Sequence, residues 1–136
     1  MYNKTIRKWL NPGKRKENGI MLALNFQSEL HEKLLIERKK NYTVRLGDVS
    51  NIFVENSVVW VTVGKMYAPK RKLYSAFLDR VKVKQISELT KDDLGHQNPE
   101  IKSVEELIAM FEQLYKKTIT EEDIVTVISF SEIVGE

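Results

Sequence analysis

The sequence predicts one small α+β domain, a compact barrel of short strands decorated by two main helices. Three observations carry this. Short apolar or alternating runs outnumber helical patterns, and the helices are inserted among them without the regular alternation of a doubly wound fold. A length of 136 residues suits a single core. The hydrophobic fraction of 42% is enough to fill that core, and the charged fraction of 30% is ordinary for a soluble domain.

The elements follow in order. Ile6, Trp9 and Leu10 can make a helical turn or two, which Asn11-Pro12-Gly13 stops. Ile20 to Phe26 reads as a short buried strand. Ser28 caps a helix whose inward stripe is Leu30, Leu34 and Leu35, ending near Arg38. Tyr42, Val44 and Leu46 alternate with Thr43 and Arg45, the period of a half-buried strand, so Thr43 and Arg45 are expected on its outer face. Gly47-Asp48 marks a turn, and Val58 to Val63 is a β-branched strand around Trp60. Gly64 to Arg71 is a basic loop. Lys72 to Gln85 suits one long or bent strand, with Val81 and Val83 opposite Arg80, Lys82 and Lys84. A helical turn within Ser87–Leu94 and a polar loop, Gly95 to Lys102, come next. Ser103 to Glu106 reads as a capping box ahead of the best amphipathic helix, with Val104, Leu107, Ile108, Phe111, Leu114 and Tyr115 on one face. Ile124 to Phe130 is the closing strand.

The net charge of +3 is unevenly spread. Residues 1–16 hold Lys4, Arg7, Lys8, Lys14, Arg15 and Lys16 with no acid. The chain's 22 Lys and Arg less these six leave 16 against 19 acids, a net of −3 for the rest. Residues 1–18 are therefore expected to form a basic N-terminal extension and residues 19–136 the domain, and an argument for polyanion binding must rest on local patches. The chain has no cysteine, which excludes disulfides, Cys-based zinc sites and thiol catalysis, and fits the cytoplasm as the expected compartment. No apolar run nears the roughly 20 residues of a membrane span, and no secretory h-region precedes the domain. Glycine-rich phosphate loops and a nucleophile elbow are missing. His31 and His96 lack metal-ligand spacing, so each is expected on the surface, with no metal and no cofactor.

One segment stands out. Arg38-Lys39-Lys40-Asn41-Tyr42-Thr43-Val44-Arg45 puts four basic residues at a helix-to-strand junction, where a hydroxyl and a guanidinium share a strand face. Such a cluster suits an anionic or carbonyl-rich ligand, since arginine contacts phosphate with two donors at once. It also fits a plain solvated charge run.

Lys40-x-x-Thr43-x-Arg45 after an amphipathic helix resembles the signature of the ASCH family, a division of the PUA-like barrels, which usually reads G-x-K-x-x-T-x-R. Ile86-Ser87-Glu88-Leu89, Ser103-x-x-Glu106-Leu107 and the closing Ile128-Ser129-Phe130 match the family in order, so the resemblance spans roughly residues 20–132. It implies a mixed PUA-like barrel with a cleft for RNA or a modified nucleoside. The glycine usual two positions before the lysine is Arg38 here.

The first function implied is an RNA- or modified-nucleoside-binding domain. Its ligand would meet Arg38, Lys39, Arg45, Lys65, Lys70, Arg71 and Lys72, with Tyr67 and Tyr74 able to stack on unpaired bases or, for Tyr74, to pack within a strand. The alternative comes from a bacterial subgroup that the chain partly resembles, small amidohydrolases removing the acetyl group of N4-acetylcytidine with a Lys, Thr and Glu constellation. By position these fall on Lys40, Thr43 and Glu100. In that reading Thr43 attacks the amide carbonyl, a neutral Lys40 accepts its proton, and Glu100 protonates the leaving amine or positions the base. A ribonuclease using Lys40 or Arg45 is less supported, because no general-base histidine is expected nearby. The partner in each case is RNA or a nucleoside, with no membrane.

Overall fold

Five strands hydrogen-bond into one mixed sheet in the computed structural model, which describes residues 21–95 and 101–135. The elements are β1 (Ala23–Phe26), α1 (Glu29–Ile36), β2 (Tyr42–Leu46), β3 (Val58–Val63), β4 (Arg71–Gln85), a 3₁₀ turn (Ile86–Glu88), α2 (Lys91–Gly95), α3 (Val104–Tyr115) and β5 (Ile124–Glu132). The sheet order is β1-β3-β4-β5-β2; β1 runs parallel to β3 and every other pair is antiparallel. The sheet curls into a half-barrel, giving an α+β fold with two main helices, as the sequence predicts. No helix among the described residues is long and apolar enough to cross a membrane.

Local chemistry accounts for the helix ends. Ser28 Oγ accepts from the backbone N–H of Leu30 at 3.2 Å, the N-cap expected from its position. At the other end Arg38 N–H donates to Leu35 O and Lys39 N–H to Leu34 O, a Schellman motif with Arg38 at φ +61° in its left-handed position. Ser103 caps α3 through Glu106 N–H at 3.1 Å, while the Glu106 carboxylate reaches back to Lys102 N–H at 2.7 Å, one residue beyond the capping-box partner. The far end of the α3 stripe emerges from the protein: Leu107 and Phe111 are buried, Leu114 and Tyr115 exposed.

Two cores lie on the two faces of the sheet. The inner one gathers Leu24 and Phe26 of β1, Val59, Val61 and Val63 of β3, Tyr74, Ala76 and Leu78 of β4, and Ile128 and Phe130 of β5, with Leu35 of α1 packed on them. The outer one joins Val44, Val125 and Val127 to Leu94, Leu107 and Phe111 of α2 and α3. Strand β5 is therefore buried on both faces, and apolar residues fall at both odd and even positions along it, Val125 and Val127 against Ile128 and Phe130. The long β4 strand serves the inner core along its length and carries a β-bulge between Leu78 and Arg80. One extra residue reverses the alternation, so Val81 packs inward while Arg80, Lys82 and Lys84 face the other side.

Candidate functional site

Strands β1 and β2 form the two edges of the curled sheet, and α1 carries the chain from one to the other. Arg45 ties them together: its Nη2 donates to the backbone carbonyl of Asn25 at 3.0 Å. Asn25 is itself fixed, accepting from Thr62 Oγ1 at 2.8 Å and donating to Gly64 O at 2.9 Å. This seam, where the half-barrel comes closest to closing, holds the Lys40–Arg45 segment.

Thr43 pairs with Ile128 and Arg45 with Thr126 across β5, on the inner face. The two do share one face, and Arg45 Nε donates to Thr43 Oγ1 at 3.1 Å. That face is not the outer one expected from the alternation. Both faces of β2 are covered, Tyr42 and Val44 by the outer core and Thr43 by the seam, so alternation could not separate inside from outside.

Lys40 is only 2% exposed and is among the largest fully buried side chains. Its Nζ donates to the Tyr42 carbonyl at 2.7 Å and lies 5.5 Å from the centre of the Phe26 ring. The Arg45 guanidinium carbon sits 4.9 Å from that ring centre. Burial first, and the Arg45 charge second, hold the Lys40 ammonium down at about 7. Burial likewise brings the Arg45 guanidinium down to about 10, against the opposing influence of Tyr115.

His31 is the residue that sequence reasoning missed. It packs edge-on against Phe26, ring centres 6.0 Å apart, so three nitrogenous side chains surround one aromatic ring. Its Nε2 is enclosed and, among the described residues, is the one buried side-chain polar atom with no hydrogen-bond partner. Burial, then the charges of Lys40 and Arg45, push its imidazole down to about 4, so it is neutral at pH 7. His31 is therefore half-buried with its Nε2 turned inward, and the expectation of no histidine near Lys40 and Arg45 is overturned. The signal was present: residue 31 precedes Leu34 by three and Leu35 by four, the spacing of one helical face.

The flanking basic residues divide by what they touch. Arg38 makes a fork to Glu132, Nε to Oε1 at 2.7 Å and Nη2 to Oε2 at 2.9 Å, and lies 4.3 Å over the ring of Tyr74. Tyr74 is buried in the inner core under that guanidinium, where it packs as a core aromatic. Arg71 pairs with Glu32 of α1. Lys70 Nζ folds back onto the carbonyls of Lys65 and Ala68 at 2.9 and 2.8 Å, bracing the loop between β3 and β4. Lys72 Nζ lies 4.9 Å over Trp60. Lys39 and Lys65 are exposed, and Lys39 Nζ is 3.5 Å from Glu37. Tyr67, at φ +64°, is 98% exposed at the tip of the braced loop. Glu100, His96 and the basic extension, residues 1–18, lie outside the described residues.

The fold is ASCH-like, as comparison with solved structures shows. No protein-family model matches the chain, and no curated protein matches it. Solved structures do. The chain is similar to an ASCH domain from Lactobacillus crispatus JV V101 at TM-score 0.56 and 10% identity, over 81% of this chain and 77% of that one. It is similar to protein EF3133 from Enterococcus faecalis V583, of family DUF984, at TM-score 0.54 and 11% identity, over 74% and 68%. It is also similar to the hypothetical protein PH0355 at TM-score 0.57 and 18% identity, over 84% of this chain and all of that one (100%). At these identities the likeness is one of fold.

Proposed function

We propose that the protein binds RNA or a modified nucleoside at the seam between β1 and β2. The observation that carries this is the convergence of Lys40 and Arg45 on Phe26, with the Thr43 hydroxyl bonded to Arg45. Burying two cations side by side costs free energy unless an anionic or carbonyl-rich group compensates them. Arg45 is held by neutral acceptors alone, the Asn25 carbonyl and the Thr43 hydroxyl, and a ligand oxygen would complete it. The exposed Tyr67, with Lys65 and Lys72 near it in sequence, supplies a stacking surface for an unpaired base; Lys39, Arg38, Lys70 and Arg71 add positive potential while serving the contacts described above. The ASCH-like fold supports the same reading. Fluorescence anisotropy with a short single-stranded oligoribonucleotide tests it. Binding should weaken steeply with salt, with a log–log slope of about −0.7 per phosphate contacted. Lys40→Met and Arg45→Met should each weaken binding by about tenfold. A salt-independent signal, or one that neither substitution changes, would sink the proposal.

A second reading, amide hydrolysis of an N4-acetylcytidine-type nucleoside, is favoured by one observation: the Lys40 ammonium held at about 7, which leaves much of it neutral and able to accept a proton. Arg45 Nε, donating to Thr43 Oγ1, would stabilise the charge developing on an attacking hydroxyl. Glu100 would complete that constellation. Conversion of N4-acetylcytidine to cytidine, abolished by Lys40→Ala and Thr43→Ala, is the expected result; no turnover at high enzyme concentration would end this reading for that substrate.

A further inference from the structure

The bulge in β4 builds a second polar site on the opposite face of the sheet from Thr43 and Arg45. Past the bulge, Arg80 pairs in register with Ser129 of β5, which in turn pairs with Tyr42 of β2, and Lys82 pairs with Val127. These side chains line a cleft of about 190 Å³, walled on the far side by Thr90 and the start of α2. A guanidinium, an aliphatic hydroxyl and a phenol thus stand in one row across three neighbouring strands.

The charges in the cleft are not balanced. Lys84 Nζ is 2.9 Å from Asp93 Oδ2, and that same oxygen accepts from Thr90 N–H at 2.9 Å, so the charge of this acid is already paired with Lys84. Arg80 and Lys82 are exposed, and among the described residues their side chains have no hydrogen-bond or ion-pair partner. Against them stands Asp92, which is exposed. Elsewhere on the molecule Arg38 and Arg71 are met by carboxylates. Arg80 and Lys82 are thus uncompensated cations lining a concavity, and the buried Ser129 lies beside Arg80.

We propose that this cleft binds a phosphoryl group carried on a small ligand, with two oxygens on the Arg80 fork, Lys82 as counter-charge and the Ser129 hydroxyl on a third oxygen. Arginine forks match paired phosphate oxygens, and a nearby lysine adds charge without directional demand. The volume is below the roughly 300–1,000 Å³ of pockets that enclose a drug-sized ligand, so it suits a phosphoryl group and the sugar attached to it. The proposal does not depend on the seam, whose residues lie on the other face of β2.

Amide chemical-shift titration at constant ionic strength tests it, with inorganic phosphate, ribose 5-phosphate, ribose and a short oligoribonucleotide as separate probes. Saturable shifts centred on Arg80, Lys82 and Ser129 are expected with at least one phosphate-bearing probe and none with ribose. Arg80→Gln should raise the dissociation constant about tenfold or more, the fold-change a charge-assisted hydrogen bond is worth. Arg80 is exposed, so the variant's fold is verified in the same spectra. Shifts with ribose 5-phosphate or inorganic phosphate but not the oligoribonucleotide identify a terminal phosphate; shifts with the oligoribonucleotide alone identify an internucleotide phosphate. No saturable shift with any phosphate-bearing probe, or shifts that Arg80→Gln leaves unchanged, overturns the proposal. Lys40→Met should leave these shifts intact, which separates failure here from failure at the seam.

Discussion

Lys40 and His31 both carry the cost of burial in their protonation, in two separate pH windows. Between about 7 and the ordinary 10.5 of lysine, the unfolded chain holds a proton at Lys40 that the folded chain has lost. Stability therefore rises with pH across that window, by a few kcal/mol at most, and is flat in this contribution below about 7. Chemical denaturation of wild type and Lys40→Met across pH 6 to 10 should show the rise in wild type and a flatter curve in the variant. For His31 the folded imidazole sits near 4 and the unfolded one near 6.5. As pH falls from 6.5 to 4 the unfolded chain takes the proton first, so the folded state loses stability across that window. His31→Leu removes the unpartnered Nε2 and keeps an apolar contact with Phe26. Thermal melts should show it at least as stable as wild type at pH 7, and urea denaturation should show a shallower acid limb.

Helix α1 ends on a residue that its backbone does not favour. Arg38 occupies the left-handed position of the Schellman motif, where glycine is the usual choice and another residue costs about 1 kcal/mol. This gives a physical reason for the glycine usual at this point of the ASCH signature. Here the chain instead gains the Glu132 fork, which ties α1 to β5, and the cover over Tyr74. The pair is part-exposed and screened by solvent, so its contribution is modest. Arg38→Ala keeps the backbone cost and loses the fork; Arg38→Gly loses the fork but relieves the cost. Urea denaturation should place Arg38→Gly about 1 kcal/mol above Arg38→Ala in stability. The reverse order would mean that the left-handed geometry is not what matters at this position.

The sheet as a whole is held at its seam by few contacts. Strand β1 is four residues long and its partner strand is β3; across the seam Arg45 Nη2 bonds to Asn25 O. Arg45→Met should therefore loosen β1 selectively. Amide hydrogen exchange is expected to speed up at Leu24 and Phe26 while β4 and β5, joined over nine register pairs, keep their protection. Uniform loss of protection would mean instead that Arg45 supports the entire fold.

By itself the sequence determined the elements and their local ends: Ser28 and Ser103 as caps, the α3 stripe, the long β4 strand, and the Lys40-x-x-Thr43-x-Arg45 cluster at a helix-to-strand junction. These rest on spacing and on contacts within a few residues, which a linear reading carries. Only the tertiary structure decided that the cluster is buried at a seam, that Arg38 is taken by Glu132, and that His31 joins Lys40 and Arg45 around Phe26. It also decided, through a single bulged residue, that Arg80 and Lys82 line a cleft beside Ser129. Each of these depends on which distant strands pair and in what register. Alternation along β2 is the same whether one of its faces is covered or both, so only the pairing of β1 with β3 and of β2 with β5 tells them apart.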